Sequence, residues 1–367
     1  DATVLGSKLT VTCYAYQREY GAIFTKDSDG FFKRSLIEKC TASAANNITI
    51  KDKVIRFGCE MVGEKGVQYV MGVDPASEED NLAIVILKLQ PHHTEIVHCW
   101  TTNRERFEER IKAGIVKKHD YYQNCVQKKR ELMKAFSISR IIIDSGGGGI
   151  TLNQALRDPA NKEDIPVYEI IEEDKPKITD NMAGLHILEM INFSKTEWVR
   201  EANHGMKFDL ENRLLLFPEF DAITLAASYQ EDFENLKALH GKCDLENFSM
   251  YDTMEDCVLE IEALKEELTM IVHSATKTGV ERWDVPETRV GAGKKVKKKK
   301  DRYSALLIAN MRARQTGRIV VHAPNYIAFG LRVGEKPHRL KPDAKLFTGA
   351  TWYNPSPGTF RASRRRK

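Results

Sequence analysis

The chain has 367 residues, long enough for one large domain with an appendage, and it carries a formal net charge of +4. It contains no run of about 18 apolar residues, which excludes a membrane-spanning helix of the usual kind. Its seven cysteines are scattered and never form a Cys-x-x-Cys pair, which excludes a disulfide framework and a zinc knuckle and favours a reducing cytosol.

The charge is distributed unevenly along the chain. Residues 289–367 contain 21 Lys and Arg against three acidic residues, a net +18, which leaves −14 for the residues before them. A basic block on an otherwise acidic protein predicts a polyanion partner, because each Lys or Arg placed on a phosphate releases condensed counterions. A solvated tail is the alternative, and for residues 364–367 both interpretations stay open.

The first half of the chain predicts three strands, a long helix and a fourth strand. After an entry segment over residues 1–62, apolar strands are predicted over 67–73, 81–89 and 95–101. Consecutive strands with short connections favour an antiparallel meander. Residues 103–136 have helical periodicity, and the β-branched run at 140–143 predicts a buried parallel strand. A helix that leads into a parallel strand is typical of α/β proteins.

The second half predicts helices with a few strands between them. In chain order these are a helix over 151–157, a strand over 167–171, a helix over 183–202, a hairpin over 206–217, a largely helical stretch over 219–273, and a hairpin of 269–274 with 280–285. Residues 291–300 are rich in Gly and Lys and predict a loop. A helix over 303–313 follows, and we expect residues 315–367 to form a basic C-terminal extension.

Three aspartates stand at the ends of predicted apolar elements, namely Asp74, Asp144 and Asp301. Taken alone, each one is better explained as a structural turn or cap residue. The predicted element order, however, is that of an RNase H-like α/β fold, with a mixed central sheet, three antiparallel first strands and helices on both faces. In that fold the first strand, the fourth strand and a late helix bring carboxylates to one point, where two divalent ions can support phosphodiester hydrolysis.

Two glycine-rich segments resemble nucleotide-binding loops and fail on spacing. Residues 146–149 lack the third glycine of G-x-G-x-x-G, because Leu152 stands at that position. Residues 291–295 resemble a P-loop fragment, but Thr288 replaces the leading glycine and Lys295 replaces the Ser or Thr that holds magnesium. We therefore expect no ATP site here, and the first glycine run instead suits close backbone approach beside a metal centre.

Four motifs within residues 60–312 carry a family resemblance. They are Gly-Val-Asp-Pro-Ala at 72–76, residues 141–149 with a helix at 151–156, residues 214–218, and Asp-Arg-Tyr-Ser-Ala-Leu at 301–306. With these motifs in this order, the chain resembles the C-terminal nuclease domain of the large terminase subunit of tailed bacteriophages. The resemblance implies that Asp74, Asp144 and Asp301 bind two Mg²⁺ or Mn²⁺ ions and cut concatemeric viral DNA during genome packaging.

The same resemblance implies partners and a domain plan. Double-stranded DNA, the portal protein, the small terminase subunit and neighbouring large-subunit copies are the expected partners, in the host cell cytoplasm. Because the chain begins at Asp1 without an apolar signal, we expect an excised fragment. Residues 1–62 would follow a missing ATPase domain, residues 63–314 would form the nuclease, and residues 315–367 the extension.

A run of basic residues directly precedes and follows Asp301. We expect these side chains to contact DNA: Lys294, Lys295, Lys297, Lys298, Lys299, Lys300 and Arg302. Many relatives carry two acidic residues before the last helix, whereas Lys300 precedes Asp301 here, so a fourth carboxylate ligand stays unassigned. The acidic residues at 78–80 could supply it, although a solvated turn also explains them.

Two other functions stay open from the sequence. The same fold could serve a resolvase or transposase-like nuclease, which would prefer four-way junctions over linear duplex. A nonenzymatic DNA-binding or docking module would use the basic tail alone, with the aspartates acting as strand-end caps.

Overall fold

In the computed structural model, the described residues are 30–75, 81–112, 121–146, 148–159, 164–219, 252–276, 280–290, 294–297 and 299–322. Residues 1–29, residues 291–293 and 298 of the predicted Gly and Lys loop, and the expected extension from residue 323 onward lie outside them. No helix in these ranges is both long enough and apolar enough to cross a membrane.

Helix α1 (Arg34–Lys39) and the short hairpin of β1 (Thr49–Ile50) and β2 (Lys53–Val54) precede the main sheet. Phe32, Ile37 and Ile48 from this part are buried in the first hydrophobic core of the protein. The described part of the expected entry segment therefore packs as part of the domain.

A seven-stranded sheet forms the centre of the fold. Its strands are β3 (Tyr69–Asp74), β4 (Leu82–Leu89), β5 (Thr94–Thr102), β6 (Ile138–Asp144), β7 (Val167–Glu169), β8 (Leu185–Ile191) and β9 (Leu215–Leu216). They lie side by side in the order β7-β8-β6-β3-β4-β5-β9. The strands β3, β4 and β5 pair antiparallel, and β6 pairs parallel with β3, which confirms the predicted arrangement of the first four strands.

Helices cover both faces of the sheet. On one face, α2 (Arg104–Lys112), α3 (Tyr121–Ala135) and α4 (Gly149–Arg157) enclose one core. On the other, α5 (Thr196–Glu211), α6 (Met254–Met270) and α7 (Asp301–His322) pack over a second core that also includes α1. Parallel strands need such double cover because both of their faces are apolar. The RNase H-like fold class is thus confirmed.

Hairpins and a short turn complete the described elements. The hairpin of β10 (Val272–Ala275) and β11 (Glu281–Asp284) was predicted and is present. A 3-10 turn occupies Ile178–Asn181. The hairpin of β12 (Glu287–Val290) and β13 (Lys294–Lys297) stands where a loop was predicted, because its ladder of backbone hydrogen bonds does not depend on apolar side chains.

Two predictions in the middle of the chain are wrong. Residues 183–202 were expected to be helical, but the structure has β8 there, which pairs with the buried β6, and α5 begins only at Thr196. Residues 206–217 were expected to form a hairpin, whereas α5 continues to Glu211. The buried residues Ala202, Met206 and Leu210 are spaced four apart, which is the pattern of one helix face.

Candidate active site

Asp74 and Asp144 end two neighbouring parallel strands. The last paired residues of β3 and β6 are Val73 and Ile143, so the two aspartates stand side by side one residue further on. Val73 and Ile143 are buried in the core under α2–α4. Because side chains alternate along a strand, both carboxylates face the opposite side, where α7 lies.

Helix α7 brings the third aspartate to this point. Asp301 is its first residue, and the helix crosses β3 at Gly72 one turn further along. A Cβ on Gly72 would overlap the carbonyl oxygen of Ala305, so only glycine permits this approach. The sequence therefore places Asp301 over the end of β3, beside Asp74.

Hydrogen bonds hold two of these carboxylates. The Ser304 hydroxyl bonds to the Asp74 carboxylate. The backbone N–H of Asn81, which leads into β4, donates to Oδ2 of Asp301 over 3.0 Å. Neither Ser304 nor Asn81 is among the site residues predicted from the sequence. The spacing of Ser304 three residues after Asp301 was a usable signal, because residues three apart share a helix face. Asn81 gave no such signal.

The charges of the other two carboxylates both act on Asp74. Burial raises the pKa of Asp74 well above its ordinary value, and the charges of Asp301 and Asp144 raise it further. The Ser304 hydrogen bond and the nearby Lys300 charge oppose this rise. Like charges gathered in a buried site favour either a bound proton or a bound cation. The site is therefore built to receive positive charge.

Asp144 is held by the loop that follows it. Burial raises its pKa, while bonds from the backbone N–H groups of Gly146, Phe193 and Ser145 oppose the shift. Gly148 adopts a φ of 96°, and a Cβ on Gly149 would overlap the carbonyl oxygen of Asp144. The glycines thus let α4 start directly against the strand end, in agreement with close backbone approach beside the carboxylate.

Arg302 departs from the expected DNA contact. Its guanidinium donates to Glu260 and Glu267 of α6, each over 2.6 Å, and its side chain is largely buried. Glu267 also accepts the backbone N–H of Tyr303 over 2.9 Å. The charge of Arg302 is neutralised inside the protein by two carboxylates of α6, and these ion pairs hold the first turn of α7 against α6. It therefore positions the neighbouring Asp301.

The lysines before Asp301 have different surroundings. Lys300 donates to the carbonyl of Trp283 over 3.2 Å and pairs with Asp284 over 3.1 Å, while its charge also reaches Asp74. Lys299 is exposed. Lys294, Lys295 and Lys297 lie on the backbone of β13, and Lys298 lies outside the described residues. A basic hairpin thus leads directly into the carboxylate site.

The donor chemistry of the site suits a hard divalent cation. Carboxylate oxygens are the ligands that Mg²⁺ and Mn²⁺ prefer. Burial first, and then the neighbouring carboxylates, raise the pKa of Asp74, and a bound cation would offset both effects. Within the described ranges, no three His, Cys, Asp or Glu side chains are already arranged around an ion position. The acidic residues at 78–80, considered for a fourth ligand, lie outside those ranges.

No protein-family model and no curated protein matches the sequence. Among solved structures, the large terminase nuclease from thermophilic phage G20c with bound magnesium is 10% identical. The match covers 70% of this chain and 92% of that one, with a TM-score of 0.40. The Thermus phage P74-26 large terminase nuclease domain is 9% identical. The match covers 71% of this chain and 91% of that domain, with a TM-score of 0.37.

The HK97 bacteriophage large terminase is 12% identical, and 77% of this chain covers 43% of it at a TM-score of 0.39. The chain thus spans less than half of that protein. These solved structures are large terminases or their nuclease domains, the family that the sequence motifs resemble.

Proposed function

We propose that this chain is a metal-dependent DNA endonuclease that cuts concatemeric viral DNA during genome packaging, using two Mg²⁺ or Mn²⁺ ions held by Asp74, Asp144 and Asp301. The observation that carries the proposal is that Asp144 of β6 and Asp301 of α7 lie close enough to Asp74 of β3 for both of their charges to raise its pKa. Residues separated by up to 227 positions meet only because the fold brings them together, and a purely structural role gives no reason to gather like charges.

The chain's own residues have separate tasks in this proposal. Asp74 is half-buried, and its pKa is raised by the charges of both other carboxylates, which suits it to bridge two ions. Ser304 and the Asn81 N–H fix the orientation of Asp74 and Asp301. The lysines of β13 and Lys299 attract the phosphate backbone. Bound ions would supply an activated water and stabilise the leaving oxygen of an in-line displacement.

The wider packaging role is part of the same proposal. Double-stranded DNA is the substrate, and the portal protein, the small terminase subunit and further large-subunit copies are the partners in the host cytoplasm. The basic residues before α7 support the assignment of DNA as substrate, since a phosphate backbone binds clustered lysines in a salt-dependent way.

Cleavage of supercoiled plasmid in Mn²⁺ tests the catalytic assignment. We expect the intact chain to nick and linearise the plasmid, Asp74→Asn to lose at least about a hundredfold in rate, and chelator to abolish cutting. Asp158→Asn is the matched control, because Asp158 is an exposed acidic residue just after α4. Equal activity of the Asp74 variant, or no cleavage by the intact chain with any divalent metal, contradicts the proposal.

Substrate choice separates this function from its alternatives. A terminase-type nuclease cuts linear duplex without strong sequence preference, whereas a resolvase prefers four-way junctions. A docking module binds DNA in a salt-sensitive manner without cutting it. Cleavage rates on matched linear and junction substrates, measured beside binding affinity, distinguish the three.

A further inference from the structure

Cys59 and Cys257 lie in contact at the outer edge of β5, away from the carboxylate site. Cys59 belongs to the segment between β2 and β3, and Cys257 lies in the first turns of α6. Their thiols share a hydrogen bond. Cys257 is buried and Cys59 is half-buried, so the pair reaches solvent on the Cys59 side.

Both cysteines are anchored to the same short stretch of β5. Pairing of β5 with β4 is interrupted at Val97, a bulge that leaves its carbonyl free for other partners. The N–H of Glu60, next to Cys59, donates to that carbonyl over 2.8 Å. On the other side, the N–H of Cys99 donates to Sγ of Cys257 over 3.4 Å. The contact between the two thiols is therefore preorganised by backbone bonds.

The surroundings favour the thiolate form at Cys257 over that at Cys59. The hydrogen bond from the Cys59 thiol lowers the pKa of Cys257 well below its ordinary value, and His98, whose Nδ1 lies 3.6 Å from Sγ, adds to this effect against burial. The hydrogen bond to Cys257 and burial raise the pKa of Cys59. A thiolate beside a thiol is the arrangement of an attacking and a resolving cysteine.

We propose that Cys59 and Cys257 form a peroxide-sensitive dithiol that closes to a reversible disulfide. The Cys257 thiolate attacks one oxygen of hydrogen peroxide and the O–O bond breaks, which gives a sulfenic acid and a hydroxide that takes up a proton. The Cys59 sulfur then attacks the Cys257 sulfur, gives up its proton, and expels the hydroxyl as water. Two thiols are oxidised, and one peroxide is reduced to two waters.

The disulfide would crosslink two parts of the domain that both lie against β5. The segment at Cys59 leads into β3, which ends at Asp74. Helix α6 carries Glu260 and Glu267, which hold Arg302 beside Asp301. The crosslink would thus connect the supports of two of the three aspartates.

Peptide mapping of the oxidised chain tests the proposal. The folded protein is treated with hydrogen peroxide, its remaining thiols are alkylated, and it is digested without reductant, with glutathione as an internal standard of oxidation. We expect a peptide that links Cys59 to Cys257 and that dithiothreitol removes. Recovery of both residues as free thiols when glutathione is fully oxidised, or their linkage to other cysteines, overturns the proposal.

Single variants check the assignment within the same assay. Cys59→Ser and Cys257→Ser should abolish the linked peptide, whereas Cys99→Ala should keep it, because Cys99 contributes its backbone N–H. Circular dichroism verifies that each variant is folded. In Cys59→Ser, Cys257 should collect as the sulfenic acid, which dimedone labels. Absence of that label in a folded Cys59→Ser variant counts against Cys257 as the attacking thiol.

Discussion

Gly72 of β3 and Ala305 of α7 are in direct backbone contact, and this contact sets the height of the helix above the sheet. A Cβ on Gly72 would overlap the Ala305 carbonyl oxygen and lie 2.8 Å from Cβ and 3.0 Å from N of Ala309. All of these atoms belong to the rigid helix, so none can move aside alone. The glycine therefore determines where Asp301 stands relative to Asp74.

Gly72→Ala should shift α7 and destabilise the fold. Overpacking of a core of this kind costs about 1–3 kcal/mol in the free energy of unfolding. Urea denaturation measures this change, and metal-dependent cleavage should fall with it because Asp301 moves. Gly58→Ala is the control: a Cβ there meets nothing within 4 Å, so its effect should stay within about 0.5 kcal/mol. Equal stability of the two variants would show that the contact is not tight.

Asp74→Asn should stabilise the metal-free protein at neutral pH. Burial raises the folded pKa of Asp74 well above its ordinary value of 3.8, so between these two pKa values the folded state holds a proton that the unfolded state has lost. Stability from this group is complete below pH about 4 and is lost as the pH rises through the folded pKa. Urea unfolding at a series of pH values measures this. The free energy of unfolding should fall less steeply with rising pH for Asp74→Asn than for the intact chain. Asp158→Asn should retain the full fall.

How far the sequence predicts the site differs between its parts. Asp74 and Asp144 each end an apolar β-branched run, and a short-range pattern of this kind marks strand ends directly. Their adjacency follows from strand order, which the meander and the following helix also predict. Arg302 shows the limit, because its partners Glu260 and Glu267 are some 40 residues away on another helix. From the sequence alone, a basic residue that follows a run of lysines indicates a DNA contact.

The middle of the fold was less predictable for a related reason. Strand β8 becomes a strand because it pairs with β6, and Ile141 opposite Leu188 provides that register only in the folded sheet. Local composition at 185–191 also permits a helix. Likewise, the hairpin of β12 and β13 depends on cross-strand backbone pairing, which places Thr288 opposite Val296 and which no local pattern reports.

Divalent metal should stabilise the intact chain through the three carboxylates. At a metal concentration ten times the dissociation constant, the free energy of unfolding should rise by about 1.4 kcal/mol, because the ion binds the folded state alone. Thermal unfolding with and without Mn²⁺ measures this gain in the absence of DNA. Asp144→Asn should lose most of it, and Asp158→Asn should keep it. An equal metal response from both variants would place the binding site elsewhere.

Arg302→Met should impair folding more than DNA binding. The variant leaves Glu260 and Glu267 buried without their cation, and breaking a buried pair in this way costs about 3–5 kcal/mol. Arg106→Met is a matched control, because Arg106 contacts the same Glu260 from a half-exposed position and should cost about 0–1 kcal/mol. Normal stability of Arg302→Met with weaker DNA binding would restore the DNA contact expected from the sequence.

Lys129→Met should stabilise the protein and remove a pH dependence. Lys129 of α3 is fully buried, its Nζ has no hydrogen-bond partner in the described structure, and burial lowers its pKa to about 8 from 10.5. The unfolded state thus binds more protons between these values, so stability rises with pH from about 8 to 10.5. The rise corresponds to about 3 kcal/mol. In urea unfolding, Lys129→Met should be more stable below pH 8 and lack the rise, whereas the exposed Lys134→Met should behave like the intact chain. A flat profile in the intact chain would show that Nζ is solvated.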